Sequence, residues 1–132
     1  MDHRLKKIQR VLEVREKMHE LAEWKLAALD REKAELNAGQ QELLGALNRE
    51  DGLHGLFVEA MARRLTVLAR ETERVNQARA AQLGRLFEEA LALKRSERMT
   101  TKVRKEYLRD LWKRGFDDLL EALMKRDGAS FQ

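Results

Sequence analysis

Residues 22–47 read AEWKLAALDREKAELNAGQQELLGAL, and within them Ala22, Leu29, Leu36 and Leu43 recur every seven residues. Leu26, Lys33, Gln40 and Leu47 fall between them at a second position of the same repeat. A seven-residue apolar repeat keeps one side of a helix turned toward a partner helix. Toward the start of the chain, Leu5, Ile8 and Leu12 open the face at spacings of three and four, and Met18 with Leu21 or Ala22 carry it onward. Lys33 and Gln40 stand where a tight seam would place apolar side chains, and Gly39 beside them weakens the helix. The stretch is either a loose part of the seam or a point that bends or binds.

The chain of 132 residues has no proline and seven glycines. Nothing therefore removes a backbone donor or clashes with a preceding turn inside a helix. Charged residues make up 38% and aromatic residues 5%, the balance of a helix that buries a narrow stripe and leaves the rest wet. The segment NREDGLHG, residues 48–55, is the one strong reversal signal: Asp51-Gly52 favours a turn, and Asp51 is a candidate cap for the next helix. Beyond it Met61, Leu65, Leu68, Thr72, Val75, Gln82 or Leu83, Leu86, Ala90 and Leu93 trace a second stripe. Some seventy residues of unbroken helix would extend about 105 Å at 1.5 Å per residue, which no globular core of this size houses.

The expected fold is therefore all-α, a long antiparallel two-helix coiled-coil hairpin in one domain, 1–132. Its helices are expected over about 4–47 and 56–126, with the turn at 48–55. Pivoting near position 52 leaves roughly residues 101–125 without a mate, an overhanging C-terminal helix. That overhang carries Val103, Tyr107, Leu108, Leu111, Trp112, Phe116, Leu119, Leu120 and Leu123. A face this apolar calls for an external partner, packing back on Trp24 and the first helix, or a second copy.

Catalytic chemistry finds no footing. Cysteine is absent, and His3, His19 and His54 have no metal-motif spacing; His19 and Glu23, one turn apart, read as a surface contact. Ser96 and Ser130 lie in no nucleophile elbow, and the adjacent carboxylates Glu88-Glu89 and Asp117-Asp118 diverge on a helix. There is no GxxxxGK or GxGxxG loop for a nucleotide. No enzyme activity, no metal, no cofactor and no small-molecule substrate are expected. The absence of a signal peptide or an apolar run of spanning length points to the cytoplasm.

The 27 basic and 23 acidic residues interleave, which argues against a nucleic-acid footprint. Residues 94–114 are the local exception. Lys94, Arg95, Arg98, Lys102, Arg104, Lys105, Arg109, Lys113 and Arg114 outnumber Glu97, Glu106 and Asp110. This run is a solvated face with pairing one turn apart, a face for an acidic protein, or one for nucleic acid or an anionic membrane.

The opening HRLKKIQRVLEVREKMHELAEWKLAALDREKAEL, residues 3–36, resembles the start of the FliJ family, small coiled-coil proteins of the flagellar type III export apparatus. An early leucine, the element VLEVREK and alanines and leucines in a charged helix carry the likeness. The resemblance implies an antiparallel two-helix stalk similar to the central stalk subunit of rotary ATPases. Its end bearing both termini would enter the hexameric export ATPase, and it would also contact the membrane export gate and handle export chaperones. The related YscO-type proteins play this part in injectisomes. By region, the resemblance assigns Leu5, Ile8, Arg10, Leu12, Arg15, Leu93 and Arg98 to the ATPase end. Gln40, Leu43, Leu44, Leu47, Phe57, Met61 and Leu65 are assigned to the gate. Tyr107, Leu108, Leu111, Trp112, Phe116, Leu119 and Leu123 form the C-terminal face, whose partner stays open, with self-association among the candidates. The implied place is cytoplasmic, peripheral to the inner-membrane export apparatus. The competing expectation is a generic helical adaptor or dimerisation module docking through that face.

Overall fold

The computed structural model describes residues 2–49 and 55–130, and they form two α-helices: α1, Asp2–Asn48, and α2, Gly55–Ser130. Each runs slightly beyond its expected ends, and no strand occurs among the described residues. Continuous helix follows from a chain rich in Leu, Ala, Glu, Arg and Lys, none of which is penalised in a helix. The expected reversal at Asp51-Gly52, and Asp51 as a cap, lie outside the described residues.

The chain divides into two compact units, residues 18–90 and a terminal unit of residues 1–17 with 91–132. Within residues 18–90 one set of the buried and half-buried positions on each helix steps by three and four. On α1 they are Ala22, Leu26, Leu29, Lys33, Leu36, Gln40, Leu43 and Leu47. On α2 they are Met61, Leu65, Leu68, Thr72, Val75, Arg79, Gln82, Leu86 and Glu89. Val75 is fully buried, while Ala22 and Leu68 retain 6% and 7% of their surface. Contacts between the helices pair rising numbers on α1 with falling numbers on α2. Gln82 reaches Ala22, Arg79 reaches Asp30, Arg74 reaches Glu32, and Thr72 meets Gln40.

The same stepping marks the terminal unit, with Leu5, Ile8, Leu12 and Arg15 on α1 and Leu93, Ser96, Thr100, Val103, Tyr107 and Asp110 on α2. Val103 and Thr100 are each 3% exposed, and Arg4 bonds Glu106 across the helices at 3.3 Å. Every residue from 111 to 128 is exposed.

The structure also selects among the sequence alternatives. Ala22 is buried while Leu21 is exposed, and Gln82 is buried while Leu83 is exposed; Met18, expected on the packed face, is exposed instead. Gly39 lies in the α1 interior, where an added Cβ would meet Leu68 Cδ1 at an ordinary 3.8 Å. Gly39→Ala is therefore expected to raise stability by about 0.5–1 kcal/mol, measured as a higher urea midpoint. A fall would mean that this stretch must bend.

Candidate functional site: a polar seam and an exposed C-terminal face

Four polar seam positions, Gln82, Gln40, Thr72 and Thr100, have a chemical answer. Gln82 Nε2 donates to the Ala22 carbonyl at 3.1 Å, so a 5% exposed amide is satisfied by the opposing main chain. Gln40 Nε2 donates to Thr72 Oγ1 at 3.3 Å, and that hydroxyl donates in turn to the Leu68 carbonyl at 2.8 Å. Thr100 Oγ1 donates to the Ser96 carbonyl at 2.7 Å, a local bond that lets a hydroxyl occupy a buried helix face. At Gln40 the loose seam of the sequence reading is thus a matched polar layer.

Ion pairs flank the 18–90 seam. Arg74 Nη2 lies 2.6 Å from Glu32 Oε1 across the helices and 3.1 Å from Glu71 Oε2 on its own helix. The Glu71 hydrogen bond first, and the Glu32 bond next, hold the Arg74 guanidinium above its ordinary pKa. The pair is exposed, so its energetic weight is small. His19 Nδ1 sits 2.8 Å from Glu23 Oε1, the expected surface contact, and no metal-holding group of acids and histidines occurs among the described residues.

The regional assignments fall into two kinds of position. Leu5, Ile8, Leu12, Arg15 and Leu93 are half-buried in the helix pair of the terminal unit, while Arg10 and Arg98 are exposed. Of the set given to the gate, Gln40, Leu43, Leu47, Met61 and Leu65 are half-buried, and Leu44 and Phe57 are exposed. In the C-terminal set Tyr107 is half-buried against the seam, whereas Leu108, Leu111, Trp112, Phe116, Leu119 and Leu123 are exposed. Trp24 is 68% and Trp112 78% exposed.

The basic run also departs from one of its three readings. All nine basic side chains between Lys94 and Arg114 are exposed. None has an ion pair among the described residues, so pairing one turn apart does not neutralise them. Charge divides sharply between the units: residues 1–17 with 91–132 hold 17 basic against 10 acidic residues, and residues 18–90 hold 10 against 13. A whole-chain reading of interleaved charge hides this division, which counting by contact unit exposes.

Compared with protein-family models, with curated proteins and with solved structures, the chain finds no match in any of the three. Among the described residues no helix is long and apolar enough to cross a membrane.

Proposed function

We propose that this chain is an antiparallel two-helix coiled-coil hairpin serving as a non-enzymatic stalk and adaptor of a type III protein export apparatus. In this reading it contacts the hexameric export ATPase through its terminal unit, contacts the export gate through the hairpin body, and assists export chaperones. Its place is the cytoplasmic side of the inner membrane. The observation that carries the reading is the three-and-four stepping of buried and half-buried positions on both helices within residues 18–90, with contacts that pair rising with falling numbers. The FliJ-like opening of residues 3–36 supplies the specific assignment. A stiff, asymmetric pair of helices touching a ring unequally would bias its subunits between conformations, since differential contact is what shifts such an equilibrium. The partner hydrolyses ATP, and this chain transmits.

Arg10 and Arg98 are the exposed cations among the residues assigned to the ring. The double variant Arg10→Glu, Arg98→Glu is expected to weaken binding to the purified hexameric export ATPase by about tenfold or more, because reversing rim charges sets like charge against like. Calorimetry with both proteins at near-physiological salt reads the change. No binding by the unaltered, fully helical chain to either the ATPase or the gate protein would sink the stalk assignment. It would favour the generic adaptor, a reading supported by the uncovered apolar side chains of residues 111–128.

A further inference from the structure

Along the terminal unit's part of α2, the apolar face changes sides. The packed seam ends Thr100, Val103, Tyr107, Asp110, and the same spacing continues through Arg114, Asp117 and Glu121, all charged. Trp112, Phe116, Leu119 and Leu123 instead run along the opposite side, about 170° away at 3.6 residues per turn. A longer α1 continuing the same seam would therefore meet charge, not this stripe. Its cover has to come from the other side of the helix.

That other side is cationic before it is apolar. Lys94, Arg98, Lys102, Lys105 and Arg109 lie along the line that Trp112 and Phe116 continue, and none has an ion pair among the described residues. Most of the acids are kept off it, with Glu97 standing toward its edge. Glu106 is turned to Arg4 of α1, Asp110 is half-buried in the seam, and Asp117 and Glu121 follow the seam line. From Lys94 to Leu123 the line extends about 45 Å at 1.5 Å per residue.

We propose that this outer face of α2, residues 94–123, lies on an anionic lipid surface, with the lysines and arginines against headgroups and Trp112 and Phe116 inserted at the acyl boundary. Three observations favour this occupant. Five of the nine cations, Lys94, Arg98, Lys102, Lys105 and Arg109, share the line of Trp112 and Phe116, while Glu106, Asp110, Asp117 and Glu121 lie off it, as attraction to an anionic leaflet requires. Counted over residues 111–124 from Leu111 round to Leu120, the apolar sector covers about 180° of the helix, wider than the roughly 100° stripe that one packed helix covers and suited to half-immersion. A nucleic-acid backbone would match the cations and leave the leucines of the stripe unused. The helix would lie on the membrane and not span it, in keeping with the lack of a spanning helix among the described residues. The proposal shares Arg98 with the stalk reading but does not rest on it: a chain that binds vesicles but no export ATPase supports the one and removes the other.

The test uses the full chain carrying Trp24→Phe, which leaves Trp112 as the sole tryptophan reporter. It is mixed with vesicles of phosphatidylcholine alone, or of phosphatidylcholine with about one-third phosphatidylglycerol. The chain is expected to float with the anionic vesicles only, with Trp112 emission shifting to the blue and binding falling as salt rises from about 0.1 M to 0.5 M. Trp112→Ala, Phe116→Ala is expected to lower vesicle affinity by about tenfold or more. These side chains are exposed, so helix content by circular dichroism should be unchanged. Absence of flotation overturns the proposal, as does flotation that the double alanine variant leaves intact. A blue shift that appears without lipid and tracks protein concentration also overturns it, and assigns the face to a second copy. Duplex DNA competing fully with vesicles while Trp112 emission stays unshifted overturns it in favour of a polyanion.

Discussion

Val75→Asp is expected to abolish the packing of residues 18–90, lowering stability by about 3 kcal/mol or more, because Val75 is the fully buried side chain of the seam. Its neighbours along α2, Leu68 and Gln82, are themselves 7% and 5% exposed, so water cannot reach a carboxylate there without separating the helices. The nearest polar groups along the seam are already engaged, the Thr72 hydroxyl with the Leu68 carbonyl and the Arg79 guanidinium with Asp30. Separation carries a second penalty, since helices without a packed face are marginal in water. Circular dichroism should show both a much lower melting temperature and reduced helix signal at room temperature. Retention of the parent melting temperature would mean that the contacts of Val75 are not what holds this unit together.

The opposite sign is expected from Gln82→Leu. Its amide is satisfied, yet the bond it makes is to a carbonyl within the interior of α1, which keeps its own helical partner when the amide is removed. Leucine would add apolar area to the seam without orphaning a buried group, raising stability by about 1–2 kcal/mol. The loss would be in uniqueness: single polar seam residues are known to fix register and oligomer state at a cost in stability. A urea melt should therefore shift upward while sedimentation shows additional species. A leucine variant that is less stable than the parent would show that the amide contributes more than the apolar contact replacing it.

Much of the helix pairing was legible in the residues. The repeat of Ala22, Leu29, Leu36 and Leu43 predicted the packed face of α1, and Met61, Leu65, Leu68 and Val75 that of α2, because apolar periodicity reports burial directly. Arg79, Glu89, Ser96 and Thr100 were not legible in that way. They sit on the seam by spacing and contradict it by polarity, so a search for apolar residues passes over them, as it passes over Glu89 while finding the half-buried Ala90 beside it. Counting strictly by three and four from Val75 would have found all four. The C-terminal face was legible as apolar but not as opposite to the seam. Its position is a matter of phase relative to packed residues, and those had first to be identified. The unneutralised state of residues 94–114 needed coordinates, because Lys102 and Glu106 are one turn apart in sequence while Glu106 is engaged by Arg4.

The bond from Gln82 to the Ala22 carbonyl has a mechanical side. Leucines and valines accept any neighbour of similar size, so a seam made only of them would let α2 slip along α1 by one repeat at little penalty. For residues 18–90 that slip first requires the Gln82 amide to leave its acceptor and the Gln40–Thr72 layer to open, exposing buried polar groups in transit. The two layers act as detents: a pull along either helix is carried without displacement up to a threshold and then released in one step, so the pair transmits force as a latch and not as a spring.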